Sequence, residues 1–209
     1  MKFTFLFPMT LAATLSLATA ADVEPGFKSL FDGQSFAGWK MATENTNTWR
    51  VEDGALVCQG ERCHLFYVGA LQPFTNFVLR VDVQTQQGAN GGVYFHTRYQ
   101  DKGWPKYGFE TQVNNTHGDW KKTGSIYDVL NVKESPAKDN QWWTQEIAVQ
   151  GNHVTVKVDG QIVTDYTEPP NTQPGKDFTR KLDSGTFALQ AHDPKSVVRY
   201  KNIRVQPLK

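Results

Sequence analysis

The residues best suited to chemistry crowd into the stretch from Asn90 to Asp128. Read with a strand's two-residue period, Tyr94, His96 and Arg98 share one face of a segment from Gly92 to Tyr99, and Val93, Phe95 and Thr97 share the other. In the segment from Tyr107 to Asn115, Glu110, Gln112 and Asn114 stand opposite Phe109, Thr111 and Val113. The apolar sets belong in a core, because a one-residue slip would bury charge, so the polar sets point outward together. If the two strands are neighbours, a carboxylate, an imidazole and a guanidinium meet on one sheet face. Such a trio can move a proton and stabilise an oxyanion. Asn90, Trp104, Tyr107, Trp120 and Tyr127 flank it, and flat rings with amide groups are what a carbohydrate surface requires. His192 stands at a strand end before Asp193-Pro194, where a histidine serves equally as a turn cap or as a catalytic group. The bland alternative is a solvated polar face, on which a Glu–Arg pair contributes little.

The elements that must position these residues are strands. Phe77, Leu79, Val81 and Val83 alternate with polar or smaller partners in one long half-buried strand. Val154, Val156 and Val158 alternate likewise between the turn signals Gly151-Asn152 and Asp159-Gly160. Residues 142–150, 153–158 and 161–166 therefore form an antiparallel meander, and 185–190 and 197–205 read as closing strands. Residues 131–141 and 167–184 carry prolines and no strand pattern, and loops of that length are usually functional rims or poorly ordered connections. With 27–31 as a first strand, roughly 11–14 strands in two packed antiparallel sheets are expected, an all-β sandwich.

Residues 1–20 read as a signal peptide. Lys2 precedes an apolar stretch from Phe3 to Leu17, and Ala18-Thr19-Ala20 is an A-x-A cleavage site. The expectation is a secreted or periplasmic protein whose single β-sandwich domain spans 21–209. The apolar stretch is too short and too interrupted to span a bilayer stably. Lys2 is the leader's only charged residue, so the mature chain carries 21 acidic and 21 basic residues, with no basic field for nucleic acid or anionic lipid. Hydrophobic content of 39% and charged content of 21% fit a soluble globular chain without membrane insertion. Cys58 and Cys63 flank Gln59–Arg62, which reads as a hairpin loop. Across such a loop a disulfide and two free thiols are both open, and a zinc site lacks further soft ligands.

Several blocks together resemble the 3-keto-disaccharide hydrolase family. They are Gly26-Phe27-Lys28-Ser29-Leu30-Phe31-Asp32-Gly33 with Gly38-Trp39, the run Trp49–Leu56, Asn90–Phe95, Gly108–Val113, Thr123–Tyr127, Leu189–His192 and Tyr200–Arg204. The resemblance runs from about Gly26 to Leu208. It implies a concanavalin A-like jelly-roll sandwich and action on glycosides oxidised to a ketone at sugar C3. Many members carry arginine where this chain has His96, with Arg98 two residues on.

A C3 ketone acidifies the hydrogen at C2, so a base can form an enediolate and the C1 substituent can leave. Glu110 or His192 is the expected base, His96 an acid or metal ligand, and Arg98 the oxyanion stabiliser. Gln112 and Asn114 would hold hydroxyls. A divalent metal on Glu110 with His96 or His192 would also stabilise the enediolate, although no metal motif is present. Two other readings stand beside this one. A non-catalytic carbohydrate-binding module uses the same fold. A conventional glycosidase would need a second carboxylate about 5–10 Å from Glu110, such as Asp119 or Asp128.

Overall fold

The computed structural model describes residues 24–209, and the expected signal peptide and its expected cleavage point lie outside the described residues. Thirteen strands are present among them: β1 (Lys28–Ser29), β2 (Trp39–Met41), β3 (Trp49–Glu52), β4 (Ala55–Cys58), β5 (Cys63–Tyr67), β6 (Phe77–Thr85), β7 (Gly91–Thr97), β8 (Phe109–Val113), β9 (Trp143–Gln150), β10 (His153–Val158), β11 (Gln161–Thr167), β12 (Thr186–Ala191) and β13 (Val198–Pro207). An eight-stranded sheet runs β11-β10-β9-β6-β13-β4-β3 with β1 on β13, and a five-stranded sheet runs β2-β5-β12-β7-β8. Every pairing is antiparallel, so the expected all-β sandwich is the fold. No helix among the described residues is long and apolar enough to cross a membrane.

The large sheet obeys simple alternation. Phe77, Leu79, Val81 and Val83 of β6 are fully buried, and the residues between them are half-buried. Each such aliphatic or aromatic side chain contributes roughly 1.5–3 kcal/mol by leaving water. The outer face carries ion pairs between directly opposed strands, Arg80–Glu146 at 2.7 Å and Lys157–Glu146 at 2.9 Å. Arg80 and Arg204 stand opposite each other across β6 and β13, and Glu24 bridges this like-charged pair.

The small sheet breaks the alternation. Every residue of β5, β7 and β12 is buried. One face packs on the large sheet through Leu65, Leu189, Val93 and Thr111, and Gln145 of β9 donates to Thr111 across the gap at 2.7 Å. The other face lies beneath residues of the connections 98–108, 114–131 and 168–185. Tyr99, for example, packs edge-on against Phe66 at 5.3 Å.

Gln59–Arg62 is not a hairpin loop. It carries the chain from β4 in one sheet to β5 in the other, because the buried faces of the two strands belong to different layers. Cys58 and Cys63 are both free and buried, and burial pushes their thiols up to about 12 and about 11.

Gly91 faces the core, where an added Cβ would lie 2.7 Å from the Tyr200 hydroxyl and 3.2 Å from Val198 Cγ2. Gly91→Ala is expected to cost about 1–3 kcal/mol by overpacking. Tyr200→Phe in the same chain should recover at least half of that loss in a denaturant-unfolding double-mutant cycle. Strictly additive losses would show that Tyr200 is not the obstacle.

Candidate active site

Register places the polar residues of the covered face. His64, Gln190, Gly92 and Gln112 are successive partners across β5, β12, β7 and β8 and form one row. Phe66, Ala188, Tyr94 and Glu110 form the next. Directly opposed residues share a face, so both rows look away from the large sheet. Gly92 leaves a gap in the first row, and the Glu110 carboxylate fills it. A Cβ on Gly92 would stand 2.5 Å from Glu110 Oε1. Through this gap Glu110 Oε1 accepts from Gln190 Nε2 at 2.8 Å, while Oε2 accepts from the Tyr94 hydroxyl at 2.7 Å.

A pocket of about 300 Å³ opens above Glu110. Tyr94, Gln190 and Gln112 line its sheet side, and the covering connections supply Trp104, Phe178, Arg180, Asp119 and Asp128. Burial pushes the Glu110 carboxyl up to about 7, against the opposing pull of the Tyr94 and Gln190 donors and of the Arg180 and Lys121 charges. A carboxyl with that pKa is suited to accept a proton near neutral pH. Gln112 Oε1 and Gln190 Oε1 are buried acceptors without a partner. Both residues line the pocket, and both acceptors suit the hydroxyls of a polyol.

His192 also lines the pocket. Its Nδ1 lies 2.8 Å from Asp193 Oδ2, and Asp193 also accepts from the Ser196 hydroxyl at 2.7 Å and the Lys195 amide at 2.8 Å. Burial raises the Asp193 carboxyl, but the Ser196 and His192 bonds outweigh it and hold Asp193 below the usual carboxylate range. An ionised Asp193 can only accept, so Nδ1 carries a proton and Nε2 is left for exchange. Arg180 pairs with Asp128 at 2.8 Å, and Lys121 binds the other oxygen of Asp128. Both Arg180 and Asp128 have left-handed backbone, at φ 40 and φ 58, a conformation unfavourable for side chains of their size.

Two of the four expected catalytic residues do not reach this pocket. Between Tyr94 and Thr97 strand β7 carries one residue more than its partner β12, and the resulting bulge puts His96 at φ 54. His96 turns into the sandwich beside Phe77 and Phe95. Its Nε2 donates to the Thr75 carbonyl at 2.9 Å and its Nδ1 accepts from the Asp183 amide at 3.3 Å, so both nitrogens are occupied. Beyond the bulge Arg98 is redirected to Asp183 at 3.1 Å and to the Tyr107 ring. Of the expected substrate-binding residues, Asn90, Tyr94, Trp104, Gln112 and Tyr127 line the pocket. Asn114 instead holds its own loop by donating to the Asp119 and Lys121 carbonyls, and Tyr107 and Trp120 are solvent-exposed outside the pocket lining. Arg180, Phe178 and Gln190 were missed. The first two lie in a proline-rich connection without periodicity, and Gln190 is the last residue of the expected strand 185–190, in which no side chain was singled out.

Among the described residues no three His, Cys, Asp or Glu side chains converge to hold a metal ion. Both Glu110 oxygens and His192 Nδ1 already have partners, and His96 is elsewhere. A catalytic zinc site takes three protein ligands, which Glu110, His96 and His192 do not supply.

The fold and pocket define a class, a β-sandwich with a carboxylate and a histidine in a sugar-sized hollow. The sequence profile of the 3-keto-alpha-glucoside-1,2-lyase-like domain matches residues 26–206, and the chain belongs to that family. No curated protein matches it in sequence. A candidate glycosyl hydrolase structure from Parabacteroides distasonis ATCC 8503 superposes with a TM-score of 0.74 at 22% identity, covering 88% of this chain and 94% of the other. The carbohydrate binding module CBM66 from Bacillus subtilis superposes at 0.54 and 13% identity, covering 80% and 94%. SCLam, a non-specific endo-beta-1,3(4)-glucanase, does so at 0.54 and 14%, covering 88% and 92%. These likenesses establish the jelly-roll sandwich.

Glu110 is raised from 4.5 to about 7 by folding. A folded pKa above the unfolded one means stability is greatest below the lower value and falls as pH rises to the higher one. Glu110→Gln is therefore expected to stabilise the protein at pH 8 by up to roughly 3 kcal/mol, and to have little effect at pH 4. Thermal unfolding at the two pH values checks this, and a variant less stable than wild type at pH 8 would contradict it.

Proposed function

We propose that this protein cleaves 3-keto-glycosides by proton abstraction at C2 and loss of the C1 substituent. The observation that carries the reading is Glu110, a carboxyl tuned to about 7 on the floor of a pocket with orphaned hydroxyl acceptors. Glu110 takes the C2 proton, and the C–H electron pair forms the C2=C3 bond of an enediolate. The negative charge on the C3 oxygen is stabilised by Arg180, which takes the role first expected of Arg98. The enediolate then re-forms the ketone, making C1=C2 as the C1–O bond breaks. The departing oxygen takes a proton from Nε2 of His192 in its imidazolium form, which leaves the ring neutral with its Nδ1–H on Asp193. The product is a 1,2-unsaturated 3-keto sugar, and water addition across that bond completes a net hydrolysis. The leader supports export, so the substrate is met outside the cytoplasm.

Family membership and a carbohydrate-sized pocket favour this reading over a conventional glycosidase. Asp128, a second carboxylate in the pocket, is committed to Arg180 and Lys121 and is poorly placed to act as an acid or nucleophile. The likeness to CBM66 favours a binding-only module as the second reading, and assay of turnover separates the two.

Wild type is expected to convert a 3-keto-α-glucoside and to leave its unoxidised parent intact. The rate should rise with pH through about 7 as Glu110 ionises, because the base must be unprotonated. Glu110→Gln should lower kcat by about 10³-fold and Arg180→Met by about 10²-fold. Ultraviolet absorbance of the enone reports elimination directly. Sugar binding by wild type without turnover would leave the binding-only reading, and equal turnover by Glu110→Gln would remove the base.

A further inference from the structure

We infer that Trp104 is a movable wall, and that behind it His64 forms a second subsite for the sugar ring attached through the C1 oxygen. This rests on the carbohydrate reading of the pocket. His64 belongs to the same row as Gln190, Gly92 and Gln112 and so faces the pocket side of the sheet. It is nevertheless completely inaccessible, enclosed by Trp104 at 5.5 Å, Tyr94 at 5.4 Å and Phe66 at 6.3 Å between ring centres. Neither of its ring nitrogens has a hydrogen-bond partner. A buried nitrogen without a partner is unfavourable relative to a satisfied one. The row thus carries orphaned polar atoms on three of its residues: Gln112 and Gln190, which open on the pocket, and His64, which Trp104 covers.

The Trp104 ring is held by packing rather than by hydrogen bonds. No hydrogen bond from its indole N–H is present among the described residues. Its ring is held by contacts with His64, with His192 at 5.4 Å and with the Arg62 guanidinium at 5.1 Å. The backbone around it is anchored separately, by Gln100 Nε2 on the Trp104 carbonyl and by the Gly103 amide on Glu44. The opening we infer is a rotation of the indole about its own side-chain bonds, with this backbone held in place. Burial holds the imidazole neutral, so one nitrogen donates and the other accepts, which matches a sugar hydroxyl on both counts. The acid role proposed for His192 says which ring arrives. His192 protonates the C1 oxygen, and Trp104 packs on His192, so the group beyond that oxygen meets Trp104 first and His64 behind it.

The test measures binding in the Glu110→Gln background, where substrate is not consumed. The probes are the 3-keto forms of methyl α-glucoside and of maltose, titrated by calorimetry, with histidine ring signals followed by NMR. The two-ring probe is expected to bind about tenfold more tightly than the methyl glycoside. His64→Phe should erase that difference while keeping the single-ring affinity, and its melting temperature should be no lower because an unpaired imidazole is removed. The His64 signal, identified by its absence in His64→Phe, should move with the two-ring probe only. A preference that survives His64→Phe, or a His64 signal unmoved by a bound two-ring probe, overturns the subsite and leaves the pocket reading standing. Failure of both probes to bind overturns the subsite together with the carbohydrate pocket.

Discussion

The missing side chain at Gly92 is the constraint on which the site depends. A carboxylate on the face of a fully paired sheet would ordinarily stand up into solvent and titrate as a surface acid. Here the gap lets Glu110 lie down across β7 and reach Gln190 on β12, with Tyr94 closing over it. Two neutral donors satisfy the carboxylate without a contacting cation, and burial therefore sets its pKa. Arg180 and Lys121 remain close enough to act on Glu110 but are engaged by Asp128, so Glu110 stays basic. An arginine bonded directly to Glu110 would have held it ionised and made it a weak base.

Such a carboxylate needs a sheet that is buried on both faces, and the two sheets of this sandwich divide that labour. The large sheet meets solvent and covers its outer face with cross-strand ion pairs. The small sheet is roofed by its own connections, and the roof must be pinned where it overhangs polar groups. Asn114 pins one connection from within, while Thr179 accepts from the Gly108 amide and donates its own amide to the Lys106 carbonyl, joining the other two. Because the roof is made of irregular backbone, the groups it delivers, Trp104, Arg180 and Asp128, are free to take positions no strand could offer.

The same division decides what could be read from the sequence. Strands β6 and β10 alternate cleanly because one face is solvated, whereas in β8 both faces are covered and the parity that sends Glu110 and Gln112 away from the core is legible only from the alternating residue types Phe109, Thr111 and Val113. Parity fails at His96 because a bulge adds one residue to β7 and flips everything after it. Nothing in the local sequence marks that bulge. Its trace is remote, in Gly108 and Gly185, where any Cβ would lie within 3 Å of the His96 carbonyl. Arg180 is invisible for another reason: it reaches the site from a connection that has no period to read. The Cys58–Cys63 connection misleads because a short polar loop looks the same whether the next strand turns back in its own sheet or crosses to the other.

The orphaned atoms on the covered face argue that the site is built for a ligand rather than for stability. Buried polar groups in native folds nearly always find partners, and exceptions call for an explanation. Here Gln112, Gln190 and His64 lie in one row with a single glycine between them, and their unpaired atoms share the face that carries Glu110. A core selected only for packing would place leucine or phenylalanine at these positions, as it does one residue away at Leu65 and Leu189. A polyol lying along the row would bring the missing donors and acceptors. Under the proposed reaction, the energy released on satisfying them would hold the ring with C2 over Glu110, so that binding is directed to the chemical step.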